Sequence, residues 1–308
     1  LFSSLTPHTR AVLQALFVTF LWSTSWVFIK LGLRDEIPAL TFAGLRYMLA
    51  FLCLLPLLLR RRHDMEALRA LPRRAWVRLI TLGLLMYTIT QGAQFVGLSM
   101  LPSITVNLLL SLTALIVAVL GILLLRETPS RVQWLGIGVY FVGVVIYFFP
   151  LSLPQDQMLG IAVVLGGVLA GAAASLLGRA VNRENHLSPL AVTVATMGVG
   201  AFVLLGAGLL LQGLPAISPL SWLLIGWLAV VNTAFAFTLW NRTLRVLSAM
   251  ESSVINNMMM VQIPILAWLF LGEAISLKAG VGFAVAGVGI LIVQLRHARF
   301  RRSNKSTA

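Results

Sequence analysis

The chain has 308 residues, of which 59% are hydrophobic and only 10% are charged, whereas a soluble domain carries about 25% charged residues. Its mean hydropathy is +0.95. Too few charges remain to cover a soluble surface, which excludes a cytoplasmic enzyme, a disordered chain and a disulfide-stapled scaffold. The single cysteine, Cys53, allows no intrachain disulfide and no cysteine metal cluster.

A helix needs about 20 mostly apolar residues to cross a hydrocarbon core about 30 Å thick. In chain order, residues 11–29 supply the first such stretch and 37–59 the second, interrupted only by Arg46. Residues 79–125 are long enough for two spans, parted at Leu101-Pro102-Ser103. Residues 132–150 form the fifth, ended by Pro150 and Pro154, and 157–178 the sixth. Residues 187–241 again suffice for two, parted at Gln212-Gly213-Leu214-Pro215. Residues 247–272, with Glu251 near the start, and 279–295 complete ten spans. The first is too long for the apolar region of a cleaved signal peptide, and a second follows closely, so it is expected to stay in the chain.

The net charge of +14 is explained by where the basic residues fall. With the N-terminus in the cytoplasm, nineteen Lys and Arg lie in cytoplasmic segments and three, Lys30, Arg34 and Lys278, in outer ones. Cytoplasmic loops collect Lys and Arg, so both termini are expected inside. This accounts for the basicity without nucleic acid. Anionic lipid head groups are the expected partners of the basic run Arg60–Arg62 and of the tail Arg299–Lys305.

The two halves resemble each other. A shift of 146 residues lays Glu127 on Glu273, Gly136 on Gly282 and Gly143 on Gly289. Near the start the shift is about 151, and Ile37-Pro38-Ala39-Leu40 meets Ser188-Pro189-Leu190-Ala191. Each half holds five spans, an odd number, so the halves insert with opposite orientation. The expected fold class is an all-α polytopic membrane protein, ten transmembrane helices arranged as two inverted five-helix repeats, residues 11–150 and 157–295, with a basic tail at 296–308. In many secondary transporters such a repeat holds the solute at its interface near the midplane.

Leu21-Trp22-Ser23-Thr24-Ser25-Trp26-Val27-Phe28-Ile29-Lys30 resembles the first-span signature of the EamA-type drug/metabolite transporters. Pro38-Ala39-Leu40-Thr41-Phe42-Ala43-Gly44-Leu45-Arg46-Tyr47 resembles their second-span signature, which ends in an Arg. Leu124-Leu125-Arg126-Glu127-Thr128 and Phe270-Leu271-Gly272-Glu273-Ala274 look like the paired ends of the fourth and ninth spans. The resemblance covers nearly the whole chain. It implies a 5 + 5 inverted-repeat carrier of small organic solutes, and within the superfamily the chain looks most like the YddG-type amino acid exporters. One departure is Met197, which stands where the repeat would put a counterpart of Arg46.

Ionisable groups inside a bilayer are costly and point to function. Lys30 lies about 28 Å along its helix from residue 11 and is expected to snorkel to the outer interface. Arg46 lies about 12 Å beyond Pro38, too deep for snorkelling. It is read as a gating or structural charge, paired with helix carbonyls or with a solute carboxylate. Glu127 and Glu273 are expected to cap or pair locally, and Glu251 to sit in the inner mouth. No Asp, Glu or His lies near the middle of any span, so a proton relay at the site is not expected. The same absence leaves no base for a Ser/His hydrolase and no ligand set for a metal; neither an enzyme nor a cofactor is expected.

Neutral polar residues mark the candidate site. Tyr87, Gln91, Gln94 and Leu98 share one face of the third span, and under the repeat Tyr87, Gln91 and Gln94 map to Thr233, Phe237 and Trp240. Asn107 and Ser111, one turn apart on the fourth span, map to Ser253 and Asn257 on the ninth. Trp22 lies mid-span, and with Trp26, Trp227 and Trp240 it supplies aromatic surface near the core. Trp76, Trp134, Trp222 and Trp268 suit interface anchors. The expected solute-binding set is Trp22, Tyr87, Gln91, Asn107, Ser111, Thr233, Ser253 and Asn257; the alternative is interhelical hydrogen bonding without a solute. Small-residue ridges at Gly167, Gly171, Ala174 and Gly178 and at Ala279, Gly282, Ala286 and Gly289 permit close helix approach or a dimer contact, although a monomer is favoured. The expected function is a secondary transporter of the bacterial inner membrane, working by alternating access, with amino acid export implied by the resemblance. Alternatives are a nucleotide-sugar or sugar-phosphate exchanger, and a membrane scaffold or lipid-modifying enzyme.

Overall fold

The structure, a computed structural model, describes residues 6–125, 131–149, 155–183, 187–243, 246–247 and 255–295. Glu127, Glu251, Ser253 and the tail 296–308 lie outside these residues. The described chain is helical: α1 (Pro7–Arg34), α2 (Ala39–Leu59), α3 (Arg62–Arg69), α4 (Arg73–Met100), α5 (Ser103–Leu125), α6 (Arg131–Phe148), α7 (Gln155–Arg183), α8 (Pro189–Leu211), α9 (residues 219–243), α10 (Met259–Leu271) and α11 (Leu277–Leu295). Six are long and apolar enough to cross a membrane by length and composition, and four shorter apolar helices bring the number to ten. The eleventh, α3, is a short polar helix between the second and third spans that the hydropathy pattern does not reveal. The breaks at Leu101-Pro102-Ser103 and after Leu211 fall where expected. The first span runs five residues past Ile29, to Arg34.

Helix starts follow from local chemistry. Pro7, Pro189 and Pro219 each occupy a first turn, where a missing N–H costs nothing. The hydroxyls of Thr6, Ser188 and Ser218 accept from backbone N–H groups one turn on, at 3.1–3.2 Å. Gly272, with φ of 68°, ends α10 in the left-handed conformation.

Repeat-related helices pack in pairs. α2 lies along α8, and α6 along α11, the second span on the seventh and the fifth on the tenth. α1 packs on α9 and α10, while α4 packs on α7 and α8. Lipid tails offer no hydrophobic drive between helices, so contact depends on how closely backbones approach. Gly143 lies against the backbone of Ala286 and Gly282, and Gly289 against that of Tyr140 and Gly136. The glycines that align under the sequence shift therefore meet across the α6–α11 contact. The tenth-span ridge of Gly282, Ala286 and Gly289 is used within the molecule and is not a free dimer face. Gly167 and Gly171 likewise face Ala93 and Thr90 of α4.

Two helices widen at matched positions. α4 is π-helical over Leu84–Thr90, and α9 over Val230–Phe235; the 146-residue shift carries Leu84 onto Val230. In each, a threonine hydroxyl donates to the carbonyl five residues back, Thr90 to Leu85 at 2.7 Å and Thr233 to Leu228 at 2.8 Å. Such bulges redirect side chains and recur at functional sites.

Filling the α6–α11 contact is expected to destabilise the protein. Gly282→Leu should cost about 1–3 kcal/mol by overpacking and lower the melting temperature of the purified protein. Gly287→Leu, where an added Cβ meets nothing within 4 Å, should leave it unchanged.

Candidate solute site

The second span supplies the deep charge. Arg46 is only 5% exposed, and its Nε donates to Thr233 Oγ1 at 3.1 Å. Its guanidinium carbon lies 5.3 Å from the Tyr47 ring centroid and 5.9 Å from that of Phe95. Among the described residues no carboxylate pairs with it. The charge is carried by a hydroxyl of the α9 π-segment and by ring faces, contacts worth about 2 kcal/mol when desolvated. Tyr87, in the α4 π-segment, meets Tyr47 edge-on at 5.5 Å between centroids. Thus Tyr87 and Thr233, equivalent under the repeat, reach adjacent residues of the second span. On α8 the position equivalent to Arg46 holds buried Met197.

A second cluster surrounds Trp22. Its ring lies 5.2 Å from both Phe237 and Trp240, tilted against each. Its Nε1 is buried without a hydrogen-bond partner, as is Asn107 Nδ2 on α5. α1 is tied to its neighbours by amides. Asn232 Nδ2, from the α9 π-segment, donates to the Leu21 carbonyl, to Thr24 Oγ1 at 3.2 Å and to Ser25 Oγ at 3.0 Å. Ser23 Oγ donates to Gln262 Oε1 at 2.8 Å. Asn232, Ser23 and Gln262 were not among the expected residues; a polar side chain deep in an apolar run was the available signal.

Arg46, Thr233 and Tyr87 gather on α2, Trp22 joins Phe237 and Trp240, and Gln91 and Asn257 are half-buried. Ser111 turns to the fifth span, sharing a hydrogen bond of 3.0 Å with Tyr140 Oη and donating to the Leu108 carbonyl. Trp227 is 47% exposed, so it faces outward and adds nothing to the aromatic core. Trp134, Trp222 and Trp268 are exposed, as anchors should be.

The ends of helices away from the arginine-rich segment 60–78 are joined by charge. Lys30 does not snorkel freely: its Nζ donates to the Leu101 carbonyl at the end of α4, at 2.6 Å. Arg34 donates to the Leu271 carbonyl at 3.0 Å. Glu273 acts at a distance in sequence and not locally, accepting from the N–H groups of Ser103 and Ile104 at 2.8 and 3.2 Å. Helix ends leave these carbonyls and N–H groups without intrahelical partners, and their dipoles favour a cation at the first and an anion at the second. At the same end, Asp35 accepts from Ser221 and Ser218. Those hydroxyls, Ser221 first, hold its carboxyl below the usual carboxylate range.

The family model for the EamA-like transporter family matches residues 9–149 and 158–295. The chain belongs to this family. The EamA-like transporter is 24% identical over 293 residues to the uncharacterized transporter YoaV of Bacillus subtilis, covering 92% of this chain and 96% of that one. It is 28% identical over 299 residues to the S-adenosylmethionine/S-adenosylhomocysteine transporter of Chlamydia trachomatis, covering 92% and 88%. A crystal structure of a protein 18% identical to it superposes with a TM-score of 0.64, over 94% of this chain and 98% of that chain; this likeness speaks to fold alone. The molecule is therefore a multi-pass membrane transporter of a bacterial family, and the transporter names of its relatives point away from an enzyme.

Arg46→Gln should leave folded yield largely intact and cut the initial transport rate in proteoliposomes at least tenfold. Arg46→Lys should not restore it, because an ammonium lacks the planar face that stacks on Tyr47 and Phe95. Asp35 supplies a pH test. Its lowered folded pKa contributes stability above its unfolded value of about 3.9, lost as pH falls. Asp35→Asn should therefore lower the melting temperature at pH 7, with the difference from wild type closing below about pH 4.

Proposed function

We propose that this EamA-like transporter exports amino acids or related metabolites from the cytoplasm by alternating access. The observation that carries the reading is two of the four buried polar atoms without a partner among the described residues, the donors Trp22 Nε1 and Asn107 Nδ2; the others are Ser103 Oγ and Asn232 Oδ1. A buried donor without an acceptor costs about 1–3 kcal/mol, and a solute carboxylate supplies acceptors for it. The aromatic faces of Trp22, Phe237 and Trp240 suit an apolar side chain. Tyr87, Gln91, Ser111, Thr233, Ser253 and Asn257 complete the proposed lining, and Arg46 acts as the gating charge on the α9 π-segment.

The named relative in Chlamydia favours a second solute of the same chemistry. S-Adenosylmethionine and S-adenosylhomocysteine carry an amino acid head on an adenosine, and the tilted aromatic trio offers a stacking surface for such a base. A phosphate-rich solute fits less well: one deep Arg, already held by Thr233, leaves no cluster of cations for several phosphate oxygens. The arginine-rich end, with both termini, is assigned to the cytoplasm of a bacterial inner membrane.

Proteoliposomes holding the purified chain should take up at least one of the twenty ordinary L-amino acids or S-adenosylmethionine, and exchange should persist when the proton gradient is collapsed. Trp22→Phe, which removes the N–H and keeps an aromatic ring, and Asn107→Leu should each raise KM about fivefold or more, a charge-assisted hydrogen bond lost. Trp134→Ala should not. Uptake confined to sugar phosphates would overturn the reading. For topology, a cysteine at Ser152 should react with an impermeant thiol reagent in intact cells; labelling only after lysis would invert the assignment.

A further inference from the structure

The charges at the arginine-poor end line an open cavity of about 350 Å³ between α1, the end of α4 and the turn after α10, walled by Lys30, Arg34, Leu98, Leu101, Pro102 and Glu273. We infer that this cavity is a second recognition site, which takes the charged head of a zwitterionic solute on its way to or from the interior. The inference rests on the amino acid reading above, and it adds a site at the mouth to the one between the repeats.

Lys30 and Arg34 are one turn apart on α1, so both cations reach the same side of the cavity. Glu273 enters from the end of α10. Opposite charges sharing a cavity ordinarily pair, yet among the described residues neither cation forms an ion pair with Glu273. Each is held by backbone instead: Lys30 by the Leu101 carbonyl, Arg34 by the Leu271 carbonyl and Glu273 by the Ser103 and Ile104 N–H groups. These anchors fix the charges apart without exhausting them. An ammonium has three donors and Arg five, and a carboxylate about four acceptor sites. One Lys30 donor, one Arg34 donor and two Glu273 acceptor positions are occupied by those bonds.

A bridging ligand that is negative at one end and positive at the other satisfies both sides. A simple anion would meet Glu273, and a simple cation would meet Lys30 and Arg34. The α-amino acid head has the required dipole: its carboxylate faces Lys30 and Arg34, and its ammonium faces Glu273. Leu98, Leu101 and Pro102 leave an apolar wall for the side chain, and the volume falls within the usual range for small-ligand sites.

The test uses the full chain in right-side-out and inverted membrane vesicles, with each of the twenty radiolabelled L-amino acids presented in turn, and the carboxamide of every one that moves. Arg34→Gln, at an exposed position, and Glu273→Gln should raise KM about tenfold for the amino acid offered at the arginine-poor face. KM from the opposite face and kcat should stay within twofold. For the carboxamide, which lacks the carboxylate, Arg34→Gln should change nothing. A fall in kcat with KM unmoved on both faces would overturn the site and leave the cluster as a helix clamp. Should Glu273→Gln not fold, the Arg34→Gln result decides by the same criterion. If wild type transports none of the twenty amino acids and no S-adenosylmethionine, the amino acid reading itself fails, and this site with it.

Discussion

A hydrocarbon solvent cannot hydrogen-bond, and the arrangement of this molecule follows from that constraint. Every polar group that the chain carries into the spans must find its partner on another helix, on its own backbone or in a solute. Ser23 finds Gln262, Asn232 finds the backbone and hydroxyls of α1, and Ser111 finds Tyr140. Arg46, a buried cation, has a hydroxyl and two ring faces. Among the described residues four buried atoms are left over: the donors of Trp22, Asn107 and Ser103, and Asn232 Oδ1.

The inverted repeat organises these contacts at two levels. Where backbones touch, symmetry is kept: Gly143 with Gly282, and Gly289 with Gly136, make the fifth and tenth spans one close-packed pair. Where side chains do chemistry, symmetry is broken. The paired π-segments of α4 and α9 present Tyr87 and Thr233 to the same stretch of α2, but only Thr233 meets a charge. A transporter that opens to two faces in turn needs equivalent frames, yet it binds one asymmetric solute. A symmetric scaffold with asymmetric contents meets both needs.

Charge plays a different part at the ends of the helices. The arginines of segment 60–78 are exposed and suited to lipid head groups. Lys30, Arg34 and Glu273 are fewer, and they bind the ends of other helices. Because those bonds join α1, α4, α5 and α10, they tie four helix ends to one another. The sequence motif that ends the ninth span in Gly-Glu thus has two mechanical uses: the glycine stops the helix, and the carboxylate caps another.

Hydropathy and charge alone determined the ten spans, their breaks and the internal repeat, because a bilayer demands long apolar segments and glycine spacing survives in the aligned halves. The depth of Arg46 was also legible, since a helix rises by a constant amount per residue. The sequence did not reveal what each polar side chain faces. Ser111 and Asn107 are one turn apart, yet one bonds to the fifth span and the other keeps an unpartnered amide. Lys30 was expected at the interface and is held by a carbonyl of another span; Glu273 was expected to act locally and caps α5. The π-segments left no local signature, because their geometry arises from how α4 and α9 fit their neighbours. Partners distant by 71 to 239 residues in sequence are chosen by helix packing, which periodicity along one chain does not encode.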